Sequence, residues 1–93
     1  MAPFVTDEEL VSRVKKGDHE AYRKIVERYQ SVVFTVILHI VKDRQLAEDL
    51  SQETFLQAYR ALPRFDGRSR FSTWLHQISK NKAIDWCRSK AHQ

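Results

Sequence analysis

The sequence is poor in cysteine, glycine and proline, and it contains no long apolar run. Its 93 residues include one cysteine, two glycines and two prolines. Because Cys87 is the single cysteine, an internal disulfide is excluded and a cysteine-based metal site is disfavoured. No apolar stretch approaches the roughly 18 residues of a membrane span, and the first residues do not resemble a signal peptide. These absences predict no membrane insertion and a cytoplasmic location.

Patterns typical of catalysis are also missing. The four histidines are His19, His39, His76 and His92. None has a histidine or cysteine at ligand spacing, and there is neither an HExxH motif nor a glycine-rich phosphate loop. Paired acids occur at residues 8–9, where helix capping explains them, and at residues 48–49, where a solvated helix face does. The sequence therefore predicts a protein that is not an enzyme and has no metal or cofactor.

Acidic residues are scarce in the last third of the chain. Residues 1–62 contain nine Lys and Arg against ten Asp and Glu, whereas residues 63–93 contain seven against two. The formal net charge of +4 therefore originates in the C-terminal third. A local excess of positive charge is typical of a surface that binds a polyanion, although a solvated basic helix would have the same composition.

Apolar periodicity predicts two helices in the first half. The first covers about residues 6–16, with Thr6 as a cap and Gly17 as its stop. Asp18 caps the second, in which apolar side chains recur at helical spacing from Tyr22 to Val41. The C-terminal half of this helix is apolar nearly all round, which predicts that it is the central helix of the core.

Two further helices are predicted in the second half. One runs from about residue 44 to 62 and is ended by Pro63, because the residue before a proline avoids helical geometry. The other runs from near Phe71 to near Ser89, after a loop over about residues 63–70. The expected fold class is therefore all-α: a compact bundle of three long helices plus a short N-terminal one.

The third predicted helix carries an acidic patch. Asp49, Gln52 and Glu53 follow the i, i+3, i+4 spacing and so converge on one face. Such a patch suits a basic protein partner, but from spacing alone an ordinary exposed face explains it better.

The loop and the start of the fourth helix combine positive charge with aromatic rings. Gly67 allows a tight turn, and Arg64, Arg68 and Arg70 are placed to contact phosphates. Ser69, Ser72 and Thr73 add short donors near a helix N-terminus, and the aromatic residues are Phe65, Phe71 and Trp74. Charge and flat rings together are typical of single-stranded nucleic-acid binding. Phe71 and Trp74 also begin the apolar stripe of the helix, so a core position is expected for them.

Three segments together resemble a known family. They are residues 17–30 (GDHEAYRKIVERYQ), residues 46–62 (LAEDLSQETFLQAYRAL) and residues 64–85 (RFDGRSRFSTWLHQISKNKAID). In this order they resemble region 2, the promoter −10 domain, of bacterial sigma factors of the extracytoplasmic-function (ECF) group. The resemblance extends from Leu10 to Lys90 and implies a transcription initiation factor.

The resemblance implies a role for each matching position. Asp49, Gln52 and Glu53 would bind the clamp helices of the RNA polymerase β′ subunit. The resemblance thus favours a binding role for these residues, whereas their spacing alone favours an ordinary exposed face. Residues 65–70, which include Asp66, would accept a base flipped out of the −10 element, and Asn81 would help to form that pocket. The positions expected near the non-template strand or the duplex edge are Gln77, Lys80, Lys82 and Arg88.

The sequence departs from the pattern of sigma factors in two respects. Trp74 is followed by leucine, so the tryptophan pair that opens the duplex in primary sigma factors is missing, which fits the ECF group. Sigma factors also continue into a helix-turn-helix domain that binds the −35 element. Residues 1–93 are therefore expected to be either an excised region 2 domain, which we prefer, or a partial sigma factor without that second domain.

Two alternatives remain open. A helical domain of this fold could engage mainly an anti-sigma regulator rather than DNA, and such a regulator is an expected partner in any case. A conventional helix-turn-helix protein would bind duplex DNA without melting it, but the two helices that flank the loop lack its short turn.

Overall fold

Four α-helices form the structure, a computed structural model that describes residues 4–91. Helix α1 spans Asp7–Lys15, α2 His19–Val41, α3 Arg44–Ala61 and α4 Phe71–Ala91. A 3₁₀ turn, Leu62–Arg64, extends α3 through Pro63, so the chain leaves helical geometry slightly later than the proline predicts. The predicted fold class, three long helices and a short leading one, is confirmed.

The first three helices each begin at a side-chain cap. The oxygens of Thr6, Asp18 and Asp43 accept hydrogen bonds from backbone N–H groups three residues further on, at 3.2, 3.2 and 3.0 Å. Such caps satisfy donors that have no partner within the helix. Gly17 follows α1 with a φ of 99°, and Lys42 ends α2 in the left-handed region with a φ of 58°. Short left-handed turns therefore join α1 to α2 and α2 to α3.

Helix α2 is the central element and packs against the other three helices. Ile25, Val33 and Ile37 on α2 are almost fully buried. The burial is one-sided, however, because Val32 on the same helix keeps 50% of its surface exposed. The apolar C-terminal half of α2 correctly predicts its central position, but part of that half remains on the surface.

Small polar side chains allow α3 and α4 to pack closely on their neighbours. Ser51, Thr54 and Ser79 are buried, and each hydroxyl donates to the carbonyl four residues earlier, at 2.6, 2.7 and 2.8 Å. These bonds satisfy the hydroxyls without a partner from another helix. Because these three buried hydroxyl groups are hydrogen-bonded, their burial leaves none of them unpaired.

No helix within residues 4–91 combines the length and the apolar character that crossing a membrane requires.

Candidate nucleic-acid interface

The loop between the 3₁₀ turn and α4 is organised by its own residues. Gly67 has a φ of 79°, in the left-handed region that glycine adopts without strain. The carboxylate of Asp66 accepts the backbone N–H of Arg68 at 3.0 Å and also pairs with the Arg68 guanidinium at 3.0 Å. Arg68 is therefore already partnered, whereas Arg64 and Arg70 are exposed and form no ion pair with residues 4–91.

An aromatic cluster supports this loop. Phe71 is buried, while Phe65 and Trp74 are partly buried. The Phe65 ring centroid lies 5.9 Å from that of Phe71 and 5.0 Å from that of Trp74. Tyr29 of α2 packs edge-on against Phe71 at 5.8 Å. The rings that the sequence places beside the DNA-binding residues thus anchor the loop to the core.

Lys15, at the end of α1, holds the loop from the other side. Its ammonium group donates to the backbone carbonyl of Phe65 at 2.5 Å and lies 5.9 Å from the centroid of the Phe65 ring. Lys15 and Phe65 are 50 residues apart in the sequence, so no local pattern marks the contact. Helix α1 and the loop are thereby joined at one defined point.

A cleft of about 490 Å³ lies between α1 and the loop. A volume of this size lies within the usual range for small-ligand sites, about 300–1,000 Å³. On the loop side its wall contains Phe65, Asp66, Gly67 and Ser69. The wall formed by α1 contains Glu8, Val11, Ser12, Lys15 and Lys16. The structure therefore brings four predicted site residues together around one opening.

Five of the seven predicted DNA-binding residues of α4 form a stripe. Thr73, Gln77, Lys80, Asn81 and Arg88 are all exposed. At about 100° per residue, they fall within an arc of about 100° on the helix surface. We call these five residues the α4 stripe. Gln77 donates to Asn81 at 3.2 Å, so the two amides hold each other in place.

Three predicted residues lie apart from the groups to which the sequence assigns them. Ser72 is partly buried and lies about 130° around α4 from the middle of the α4 stripe. Lys82 is partly buried and lies about 150° around α4 from the middle of the α4 stripe, on the side of the core residues Leu75 and Ser79. Asn81 does not line the cleft, because it is ten residues, or about 15 Å of helix, from Phe71. The cleft and the amide are therefore two separate features of the molecule.

The N-terminus of α1 is tied to the centre of the molecule. The carboxylate of Asp7 accepts Arg28 Nη1 at 2.9 Å and the hydroxyl of Tyr29. Burial and the neighbouring Asp7 carboxylate raise the pKa of Tyr29 to about 12. Since Tyr29 also packs against Phe71, the start of α1 is connected through α2 to the base of the loop.

Some residues at this surface were missed by sequence reasoning. The α1 wall of the cleft carries no motif, and only its helical pattern is visible in the sequence. A second groove, about 300 Å³, lies between α2 and α4 and is lined by Val32, Val36, His76 and Gln77 among others. The only feature of the sequence that could have indicated this groove is the apolar run of α2, which has more apolar residues than a single core face can bury.

The acidic patch on α3 lies on exposed surface. Asp49, Gln52 and Glu53 are exposed, and Gln45 donates to Asp49 at 3.3 Å. Leu56, one turn beyond Gln52 and Glu53, keeps 50% of its surface exposed. Sequence reasoning missed this leucine, which adds an exposed apolar side chain at the C-terminal edge of the patch. An exposed apolar side chain beside charged residues is compatible with a protein-binding surface.

Comparison with known proteins identifies relatives of this chain. The family model for Sigma-70 region 2 matches residues 25–93. The chain is 46% identical over 77 residues to the RNA polymerase sigma-H factor of Pseudomonas aeruginosa, covering 83% of this chain and 40% of that protein. It is 43% identical over 86 residues to the ECF RNA polymerase sigma-E factor of Escherichia coli K12, covering 92% of this chain and 44% of that protein. The chain thus spans less than half the length of these curated relatives.

A solved structure has the same fold. The NMR structure of an engineered region 2 of sigmaE in complex with GTAAAA superposes with a TM-score of 0.89 at 40% sequence identity. The match covers 98% of this chain and 95% of that one, and therefore includes α1, which lies outside the span of the family model.

Proposed function

This chain belongs to the Sigma-70 region 2 family, and from that premise we propose that it recognises the promoter −10 element in transcription initiation. It would do so on the non-template single strand, as part of a sigma factor that also binds the RNA polymerase core. Members of this family are initiation factors rather than enzymes. The observation that carries the proposal is the cleft at the loop, which lies in the basic C-terminal third of the chain together with the α4 stripe.

The cleft provides a place for one extruded base. A base that leaves its stack loses a few kcal/mol, which must be offset by new contacts. Backbone groups of residues 66–69 and the side chain of Ser69 can contact its polar edge, while the partly buried Phe65 limits water access. Arg64 and Arg70 would hold the adjacent phosphates without reading sequence.

The α4 stripe would contact the neighbouring nucleotides. Lys80 and Arg88 supply positive charge, and the paired amides of Gln77 and Asn81 supply donors and acceptors. Because the two amides hold each other, they present a fixed pattern to a base edge. Lys82 lies on another side of α4 and serves as a control for this assignment.

Fluorescence anisotropy with single strands tests the DNA-binding proposal. We expect the chain to bind the hexanucleotide GTAAAA, the ligand of the sigmaE relative, more tightly than a scrambled strand of equal composition. Asn81→Ala should lower that preference by about 1–3 kcal/mol, the usual value of a base-edge contact. Gln57→Ala removes an exposed amide from α3 and should change nothing. Equal binding to both strands, unaltered by Asn81→Ala, would contradict the proposal.

We propose that the α3 patch is the contact for the β′ clamp helices. Its acids suit a basic helix, and the exposed Leu56 beside them offers an apolar contact. Binding of a β′ clamp fragment, measured by calorimetry, should weaken by about 1–2 kcal/mol for Leu56→Ala. The double variant Asp49→Ala/Glu53→Ala should weaken it as well. As a control, Glu27→Ala removes an acid from α2 and should leave binding unchanged. If the double variant retained full binding, the proposed role of the patch would be contradicted.

We further propose an anti-sigma factor as a second protein partner and the cytoplasm as the location. The exposed apolar side chains Val32 and Leu56 favour a protein partner in addition to DNA. If the single-strand experiment showed no binding at all, a domain that engages mainly such a regulator would be the remaining interpretation.

A further inference from the structure

Helix α1 forms the wall of the cleft opposite the loop. We propose that α1 is part of the base-binding pocket and that Lys15 is a positioning residue that sets the conformation of the loop. This inference rests on the proposed function, since it assigns a role within the same site. Neither the loop motif nor the family model, which begins at residue 25, includes α1.

The wall is rigid enough to act as part of a binding site. Leu10 and Val11 are buried in the core and fix the middle of α1. Asp7 fixes its beginning through Arg28 and Tyr29, and Lys15 fixes its end through Phe65. A helix held at three points keeps its side chains in register with the loop across the cleft.

The α1 wall offers the groups that a base requires. Val11 forms part of an apolar floor together with Phe71, against which a flat ring can lie. Ser12 and Glu8 are exposed polar residues on the same wall and can contact a base edge. Lys16 is exposed and forms no ion pair with any residue from 4 to 91, so its charge is available to a phosphate.

Lys15 has a different role from Lys16, because its ammonium group already donates a hydrogen bond within the protein. It donates to the carbonyl of Phe65, the residue directly before the turn at Asp66 and Gly67. The peptide unit is planar, so fixing this carbonyl towards α1 also fixes the direction of the Asp66 N–H. Lys15 thereby determines how the backbone of the loop faces the cleft.

Substitution of Lys15 separates positioning from phosphate binding. We compare Lys15→Met, Lys15→Arg and Lys24→Met, which removes the same charge from an exposed site on α2. The probes are GTAAAA and each of its single-base variants, measured by anisotropy over a range of salt concentrations. For Lys15→Met we expect base preference at one position of the strand to fall about tenfold, as loss of a charge-assisted hydrogen bond would allow. Preferences at the other positions should persist.

The salt dependence decides between the two roles. A positioning residue leaves the slope of log K against log salt unchanged, and Lys15→Arg, which keeps a charged donor, restores the preference. A phosphate contact would instead weaken all strands equally and reduce the slope by about 0.7. That second outcome overturns the inference, as does a Lys15→Met protein with full base preference. A wild-type protein without any preference would contradict the proposed function itself.

Cross-linking tests the α1 wall without altering Lys15. A benzophenone is attached at Ser12→Cys in a Cys87→Ser background, with Ser31→Cys in the groove between α2 and α3 as the comparator. We expect the label at position 12 to react with one nucleotide of GTAAAA at least about tenfold more efficiently than the label at position 31, since bound reactants gain greatly from proximity. Equal labelling from both positions would show that α1 does not border the bound base.

Discussion

Single residues set the shape of the loop. Gly67 supplies a left-handed backbone, and Asp66 closes the turn by binding Arg68 twice. One consequence concerns charge: the Asp66–Arg68 pair is on the surface and 91% of the Arg68 side chain is exposed, so this weak pair leaves Arg68 accessible to a phosphate along with Arg64 and Arg70.

Gly67→Ala should impair base recognition through the backbone alone. A Cβ at this position meets no atom within 4 Å, so the only cost is the left-handed conformation, about 1–2 kcal/mol for an L-residue. Gly17→Ala is a matched control, since its φ of 99° is also left-handed and its Cβ is equally unobstructed. Both variants should lose similar stability in urea unfolding, but Gly67→Ala alone should lose base preference. Loss of preference in both would point to a global effect.

The sequence predicts some residues of the site and not others. Gly67 and the arginines are visible because turn chemistry and charge are local properties. Lys15 is not, because its partner Phe65 lies 50 residues away and only the fold brings them together. The family resemblance places Lys82 near the DNA, whereas its rotation around α4 places it near the core side.

At the scale of elements, α2 supports both ends of the recognition surface. Its Tyr29 packs against Phe71 at the start of α4 and binds Asp7 at the start of α1. The helices themselves follow from apolar periodicity and capping residues, which predict their ends to within two residues. The exposed side of α2, with Val32, could not be predicted, because an apolar run does not show which side the neighbouring helices leave uncovered.

Tyr29 makes the contact between these helices sensitive to high pH. Its pKa is about 12 in the folded protein and about 10 in an unfolded chain. Between these values the unfolded chain loses the proton first, so stability falls as pH rises through this window. Wild type should exceed Tyr29→Phe in stability at pH 9, and the gap should shrink towards pH 12 by up to about 1.4 kcal/mol per pH unit. Urea unfolding at 25 °C measures the difference in stability between the two proteins. A difference that stayed constant with pH would contradict the raised pKa of Tyr29.

At the scale of the whole molecule, two helices carry two different surfaces. Helix α3 presents the acidic patch beside Leu56, and α4 presents the α4 stripe. The division follows the charge asymmetry of the sequence, in which the last third is basic. A single small bundle can thus present one face to a protein and another to a nucleic acid.

Lys80 and Lys82 lie on different sides of α4, so replacing each in turn tests whether DNA binding depends on the position of the charge. Lys80→Gln removes a cation from the α4 stripe, whereas Lys82→Gln removes the same charge from another side of the same helix. For single-strand binding we expect Lys80→Gln to reduce the salt slope by about 0.7, and Lys82→Gln to leave it nearly unchanged. Equal reductions would mean that the strand responds to net charge rather than to the stripe.

The link between Lys15 and Phe65 also has a consequence for the order of folding. Caps such as Thr6 and Asp18 join residues three apart, but this link closes a segment of 50 residues, and its atoms are exposed. Long closures cost more entropy than short ones, so we expect the link to form after the helices have assembled. An exposed contact of this kind also opens before the core does. In hydrogen exchange, the amide of Arg68, which donates to Asp66, should lose protection long before those of α3, so that the cleft is completed last and released first.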